Sequence, residues 1–570
     1  MDKKAKISYQ GIIGWLLIGL SVIMLGKSLM LCFSSDIWYD ELFTVGMIEH
    51  SYGDLIALTA RDVHPPLYYC IVKFVAMLCK LMTPNADIMV LAKMVSVLPY
   101  FILLIYSVTF IRKRFGIFTG GLFLFCVIAM PQLSAYTVEI RMYSWALLFV
   151  TAAYLHAYGI ITCLREEMSP QSDKSHKLFI GRKVHGHYIA FVLCGLAAAY
   201  TQYFACVAVI MVYLWLLLWL IFCTRQDQDT KIWKKLQGWF ICVVASIVGY
   251  FPWLLSLYRQ MSAVNENYWI LPLSWRTLGG CVKFIMKPSF ANDTLNTVLA
   301  VVMFLVCIAI ICNNSTKLFH GGRVLPKIEN DKTHLDDLNI PSFILAGVGV
   351  LAGLVLFGFV ASFLLRPIFV YRYMIPALGC FWLGFAVGLS VMAEKGTKPP
   401  TAVFISIKRK NITGTVHMDK IYKGITTAVC TFILLIGLRD YRAFMEEEEY
   451  KILMMKDAMS VFDEIGEDDI LIFNFDQVQM VVGYYTDNDS YLWYGQPETL
   501  VQEICGAKGA LNEDTAQIGE WISQGRKVWF IGSFNSREDI IEEWRASGFT
   551  VEETGSVLLE RYWFNLYKIS

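Results

Sequence analysis

Apolar residues fall along this chain in blocks long enough to cross a bilayer as helix, separated by short polar joints. The blocks lie at about 11–33, 67–83, 88–111, 116–133, 142–163, 188–205, 206–223, 238–257, 293–312, 342–365, 373–393 and 421–438. Roughly 20 helical residues span the hydrocarbon core, so the pattern predicts a polytopic α-helical membrane protein. After 440 the pattern changes: "MEEEEYKILMMKDAMSVFDEI" has helical spacing, while "DILIFNF", "KVWFIGSF" and "SVLLERYWFNLYKI" read as strands. Strands alternating with helical stretches predict a small α/β domain at 441–570, behind a membrane module at 1–440.

Lys and Arg give the orientation, because short basic loops stay on the cytoplasmic side. The basic stretches are "KKAK" at 3–6, "RKR" at 112–114, "KSHKLFIGRK" at 174–183, "KIWKK" at 231–235, the 313–341 loop and "KGTKPPTAVFISIKRK" at 395–410. If every block crossed, "RKR" and each later basic loop would face outward. The block at 67–83 begins just after "HPP" and contains Lys73 and Lys80, so it is expected to lie along the outer interface instead. About eleven spans remain, with the N-terminus cytoplasmic and both the 34–87 loop and the C-terminal domain extracytoplasmic. The first block is too long for a signal-peptide core and lacks a small-residue cleavage site, so it is expected to stay as an anchor in the plasma membrane.

Composition narrows the function classes. A formal net charge of +1 offers no basic surface for nucleic acid. The fifteen Cys show no CxxC or Cys/His spacing and read as packing residues. No cofactor is specified, and a divalent metal is left open. "DND" at 487–489 resembles the DxD of nucleotide-sugar transferases, but turns favour Asp and Asn, and the predicted topology puts it where nucleotide sugars are absent.

That topology gathers unusual polar residues on the outer side. "DIWYDE" at 36–41 follows the first span and "ARDVHPPLYY" at 60–69 follows it; "EIRMYSW" at 139–145 and "RPIFVYRY" at 366–373 lie at later helix mouths. Ionisable groups at such depth are costly, which makes Glu139, Arg141, Arg366 and Arg372 candidates for one polar cavity. Transfer of a sugar from a lipid phosphate to a hydroxyl needs a base for the acceptor proton, and Asp40 or Glu41 would serve. The leaving phosphate needs positive charge and bidentate hydrogen bonds, which Arg supplies. Trp38, Tyr39 and Glu139 would line an oxocarbenium-like transition state. Asp36 reads as solvated, and Tyr68 and Tyr69 as interface anchors.

As an ordered set, "WYDE", "DVHPPLYY", "EIRMYSW" and the late "RY" resemble the GT-C glycosyltransferases of the family 39 kind, over roughly residues 1–440. This group includes protein O-mannosyltransferases and lipid A aminoarabinose transferases. The resemblance implies inverting transfer from a polyprenyl-phosphate-linked sugar outside the membrane, with Asp40 as base and Glu41 beside it. Asp62, His64, Glu139, Arg141, Tyr143, Arg372 and Tyr373 are the substrate-binding candidates. The aminoarabinose transferases lack "HPP" in the corresponding loop, and the luminal repeat domain of eukaryotic O-mannosyltransferases is missing here. The acceptor therefore stays open among a glycan, a lipid, a wall polymer and a protein. A lipid or sugar transporter is the rival class; it predicts internal repeats and broken helices, and the sequence offers neither.

Overall fold

The computed structural model describes residues 9–34, 37–168, 174–226, 232–263, 272–320, 336–396, 402–407, 412–486, 488–493, 500–505, 510–511, 515–559 and 562–570. Asp36 and Asp487 lie outside them. Two compact units emerge, one of residues 1–28, 96–137 and 142–444, the other of 29–95, 138–141 and 445–570.

The first unit is a bundle of long apolar helices. In chain order the helices are α1 (Tyr9–Leu31), then α2 (Tyr39–Glu49), α3 (Tyr52–Arg61) and α4 (Leu67–Met82), which belong to the second unit, then α5 (Ile88–Tyr106), which belongs to the second unit up to Val95 and runs through a π-helical turn at Ser107–Ile111 into α6 (Arg112–Phe115). There follow α7 (Ile117–Ala129), α8 (Tyr143–Met168), α9 (Lys174–Thr201), α10 (Tyr203–Gln226), α11 (Ile232–Ala263), α12 (Trp275–Met286), α13 (Asp293–His320), α14 (Asp336–Leu364) and α15 (Ile375–Lys395). An antiparallel pair, β1 (Ala402–Ile407) and β2 (Ile412–His417), precedes α16 (Met418–Val461).

Among the described residues ten helices are long and apolar enough to cross a membrane, against about eleven expected. The difference is the 116–133 block. Its helix, α7, has 13 residues, about 20 Å at 1.5 Å per residue and short of a 30 Å core. The 67–83 block forms a 16-residue helix and is not among the ten. Two elements read separately, the 421–438 block and the acidic helix after it, are one 44-residue helix, α16. Nothing between them breaks a helix, since "RDYRAFMEEEE" contains neither Gly nor Pro. "GVGVLAG" at 347–353 packs helices as its small residues suggest: a Cβ on Gly347 would lie 2.4 Å from the Cys380 carbonyl oxygen, so α14 meets α15 backbone to backbone there.

The second unit holds α2 (Tyr39–Glu49), α3 (Tyr52–Arg61), α4 (Leu67–Met82) and a six-stranded sheet. Its strands are β3 (Ile470–Phe473), β4 (Asp489–Trp493), β5 (Ala510–Leu511), β6 (Val528–Gly532), β7 (Val551–Leu559) and β8 (Tyr562–Ile569). In the order β5-β4-β3-β6-β8-β7 the first four run parallel and the last two close the edge antiparallel. Helices α17 (Asp476–Thr486), α18 (Leu500–Cys505), α19 (Thr515–Ser523) and α20 (Ser536–Ala546) link the strands. Strand β3 is apolar at every position because both faces are covered. Ile470 and Ile472 pack towards Trp521 and Trp544, while Leu471 and Phe473 pack towards Phe462 and Val482.

Candidate active site

Helix α2 begins at Tyr39, inside "DIWYDE". Trp38 precedes it in extended conformation, and Glu41, in the first turn, accepts the Trp38 N–H at 3.2 Å through Oε2. This is the carboxylate half of a capping box, closing the helix N-terminus on itself. The other oxygen, Oε1, accepts the Ile140 N–H at 2.8 Å and stands 3.7 Å from Lys93 Nζ on α5. Thr44, one turn on, donates to the Ile140 carbonyl at 3.1 Å. Both backbone groups of Ile140 are thus held by α2, which fixes the 138–141 segment beside it. Glu41 is 3% exposed and Lys93 2%, so the pair is sealed from water. Burial pushes the Glu41 carboxyl up; Lys93 and the two N–H groups oppose the rise, and Glu448 adds to it.

Asp40 faces differently. Its side chain is 19% exposed, and Oδ2 lies 3.8 Å from Arg141 Nη2. Arg141 Nη1 also donates to the Asp40 carbonyl at 3.0 Å, while Nη2 stands 3.5 Å from His64 Nε2. His64 Nδ1 meets Asp62 Oδ2 at 2.9 Å. These partners impose one tautomer: Nδ1–H donates to Asp62, and Nε2 accepts from Arg141. Asp62, His64, Arg141 and Asp40 therefore form one chain of polar contacts within one unit.

The local sequence explains how the loop is held. Asp62 closes α3, its N–H bonded to the Leu58 carbonyl, and Pro65 and Pro66 lead straight into α4. Proline fixes φ and suits a helix start, which leaves His64 little freedom. Lys73 on α4 donates to the Ile48 carbonyl at 2.7 Å, capping the far end of α2. The tail also grips this region: Tyr485 Oη accepts the Ile37 N–H at 3.3 Å, His50 Nε2 meets the Ile504 carbonyl at 3.1 Å, and Arg61 pairs with Glu503 at 2.8 Å.

Tyr68 and Tyr69 are not interface anchors: both are wholly buried. Tyr69 packs 6.4 Å from Phe43 and 5.7 Å from Tyr68, ring to ring, and its hydroxyl has no hydrogen-bond partner. The charges of Arg141, Asp62 and Asp40 reach that hydroxyl, and burial holds the phenol well above its usual range.

Of the residues singled out from sequence, Asp40, Glu41, Asp62, His64, Glu139 and Arg141 thus belong to one unit. Glu139 is half-buried and accepts the Arg141 N–H at 2.7 Å through its carbonyl. Tyr143, Arg372 and Tyr373 belong to the other. Tyr143 is buried edge-on to Tyr136, 5.2 Å away; Arg372 and Tyr373 sit half-buried in a 3-10 turn that opens α15, with Tyr373 packed 4.8 Å from Phe204. Arg366 is half-buried before that turn. The "DND" turn is occupied structurally: Asn488 donates to the Gly466, Glu467 and Asp469 carbonyls, and Asp489 pairs with Arg526 at 3.4 Å. Among the described residues no three His, Cys, Asp or Glu side chains gather as a metal site. Sequence reasoning missed Lys93. Lys93 carried a readable signal, a charge five residues into an apolar run.

No family model matches the chain, and neither does any curated protein. Solved structures do. ArnT from Cupriavidus metallidurans in the apo state shares 12% identity at a TM-score of 0.53, over 96% of this chain and 98% of that one. The same protein bound to undecaprenyl phosphate gives 12% and 0.51, over 98% of each chain. At this identity the likeness is one of fold, and the fold is the GT-C architecture expected from the sequence. This chain is a multi-pass membrane protein built on that architecture.

Proposed function

We propose that this protein transfers a sugar from a polyprenyl-phosphate donor to an acceptor hydroxyl, with inversion, on the extracytoplasmic face of the membrane. The observation that carries the reading is the split between two adjacent carboxylates. Glu41 is buried and held by two backbone N–H groups and Lys93, while Asp40 is partly exposed and stands beside a guanidinium. Asp40 is the base, and Glu41 positions it.

The step is a single displacement. The acceptor oxygen attacks the anomeric carbon from the face opposite the phosphate, and its proton passes to an Asp40 oxygen. The bond between the anomeric carbon and the phosphate oxygen breaks, and the electron pair leaves with the lipid monophosphate. Arg141 receives that growing charge, supported by His64, which Asp62 orients. Arg141 stands 3.8 Å from Asp40, so the guanidinium that meets the leaving phosphate lies beside the base.

Connectivity supports the outer placement. Ile140 is bonded to Glu41 and Thr44, so the chain that leaves along α5 has come back by residue 138, and α7 with the turns after it is the returning segment. The tail holds Ile37, His50 and Arg61, on the same side as α2. Arg112, Lys113 and Arg114 lie between the outgoing and returning segments, where the positive-inside rule puts the cytoplasm. The likeness to ArnT, one of whose structures holds undecaprenyl phosphate, supports the donor class.

The experiment uses purified full-length protein in nanodiscs with synthetic polyprenyl-monophosphate sugars and, separately, nucleotide sugars. Transfer or hydrolysis is expected only from the lipid-linked donor. Asp40→Asn should lower turnover on the order of a hundredfold to ten-thousandfold, the usual worth of a general base, while leaving donor binding in place. Direct use of a nucleotide sugar, or near-normal turnover by Asp40→Asn, would sink the reading.

A further inference from the structure

The first unit contains a cavity of about 610 Å³ that takes no part in the chemistry above. Its walls come from α1, α7, α15 and α16. On α1 the lining runs from Tyr9 to Leu20, and on α16 from Lys423 to Leu434. Eleven helical steps on each make the cavity about 16 Å deep. That is close to half the roughly 30 Å hydrocarbon core, the depth of one leaflet.

Its two ends differ in chemistry. Leu17, Leu20, Leu122, Phe125, Ile433 and Leu434 line the deep end; Tyr9, Gln10, Lys423 and Thr426 line the mouth. Thr426 is 8% exposed, and its hydroxyl, on the cavity wall, has no hydrogen-bond partner. The mouth lies where α15 ends against the start of α16: a Cβ on Gly396 would lie 3.0 Å from the Lys423 backbone nitrogen. Lys395, Lys420 and Lys423 cluster there against Glu394 and Asp419, an excess of one positive charge. Lys395 is held over the Tyr422 ring at 5.4 Å, and Lys423 is exposed.

We infer that this cavity binds one acyl chain of an anionic glycerophospholipid, from the leaflet that carries the start of α1, with the phosphate at Lys423 and an ester or phosphate oxygen accepting from Thr426. A leaflet-deep slot that is apolar at its deep end takes a single fatty chain. A polyprenyl chain longer than one leaflet does not fit it, which separates this site from a donor site. Anionic phosphate is favoured over a zwitterionic headgroup by the lysine excess at the mouth. The site stands whether or not the transferase reading does.

Native mass spectrometry of the full-length protein in detergent, titrated with palmitoyl-oleoyl phosphatidylglycerol or the matching phosphatidylcholine, tests it. Phosphatidylglycerol should be retained preferentially. Lys423→Gln should reduce its retention about fivefold, the worth of one Lys at an anionic lipid surface, without changing phosphatidylcholine retention. Thr427→Trp, an exposed lining residue enlarged to fill the slot, should abolish the preference; Thr426→Val keeps the shape and should weaken it. Equal retention of both lipids, or a preference insensitive to Lys423→Gln and Thr427→Trp, means bulk annular lipid and overturns the inference. Displacement of phosphatidylglycerol by a C55 polyprenyl phosphate at equal concentration overturns it too, because the slot would then belong to the donor.

Discussion

Breaking the Glu41–Lys93 pair should destabilise the second unit strongly, and breaking it from both sides at once should cost far less than the sum. Lys93→Met leaves a carboxylate that is 3% exposed and facing no cation; removing one partner of a buried pair typically costs about 3–5 kcal/mol. Glu41→Gln is costly for two reasons. It strands the Lys93 ammonium, and it offers one acceptor oxygen where Ile140 and Trp38 both donate, so the amide NH₂ must face one of those N–H groups. The double variant removes both charges and keeps only the second defect, which predicts a coupling of about 2–3 kcal/mol in the double-mutant cycle. The pH dependence has a definite sign. Burial raises the folded Glu41 carboxyl above its ordinary value, so between the unfolded and folded values the native state holds a proton that the unfolded state has lost. Across that window the stability contribution falls as pH rises, by about 1.4 kcal/mol per unit. Below the unfolded value both states are protonated and the penalty vanishes. Lys93→Met removes the attraction that opposes the rise, so the window widens and the variant should be closer to wild type at pH 5 than at pH 8. The assay is the thermal unfolding midpoint of the four proteins in detergent at both pH values. Small, additive shifts would refute the argument, as would a Lys93→Met protein that is closer to wild type at pH 8.

Three further outcomes follow from the same geometry. Arg141→Lys keeps charge but loses the fork that reaches both the Asp40 carbonyl and His64, so donor affinity should fall by about tenfold or more in a lipid-phosphate binding assay; an unchanged affinity would take Arg141 out of the donor site. Tyr69→Phe deletes a buried hydroxyl without a partner, so the ligand-free protein should melt at the same temperature or higher, while donor turnover falls by about tenfold if that hydroxyl bonds the phosphate; a lower melting temperature with normal turnover would make Tyr69 structural. Gln524→Cys, exposed at the end of α19, should react with a membrane-impermeant thiol reagent on intact cells, and labelling only after permeabilisation would put the tail in the cytoplasm. Asn488 is unsuitable for such a probe because it is buried in three hydrogen bonds.

Elements whose determinants are local were readable from the chain. The apolar blocks give the spans because bilayer thickness sets a length that hydropathy alone can meet. "DILIFNF" gives β3 because a strand covered on both faces must be apolar throughout. Helix bounds were less legible than apolar runs. The 116–133 block is apolar enough for a span, and its helix stops at Ala129, where Met130 turns extended and Gln132 takes a positive φ of 66°. In α16 a change from apolar to acidic surface looks like a boundary in the sequence, although helix propensity continues across it. Aromatics beside a membrane helix often anchor it at the interface, which is what the sequence predicts for Tyr68 and Tyr69. Tyr69 packs on Phe43 and feels the charge of Arg141, neighbours that sequence spacing cannot bring together.

The same limit governs the central pair. Asp40 and Glu41 are neighbours with the same functional group, and either would serve as a base by composition. Successive residues on a helix point about 100° apart, so at the start of α2 one carboxylate must turn towards the core if the other turns out. Which one turns in is decided by groups distant in sequence: Lys93 on α5 and the Ile140 N–H supply a cation and a donor on the inward side, and Glu carries the extra methylene that reaches them and still returns to Trp38. An Asp in that position would be one bond short of spanning Trp38 and Ile140. A Glu at position 40 would in turn carry its carboxylate one bond further from the backbone whose own carbonyl Arg141 holds. The order Asp then Glu is therefore a requirement of the geometry. The reciprocal swap, Asp40→Glu with Glu41→Asp, should lose both the clasp and the base although every charge is retained. A swapped protein that melts and turns over like the wild type would show that charge alone, and not reach, selects these residues.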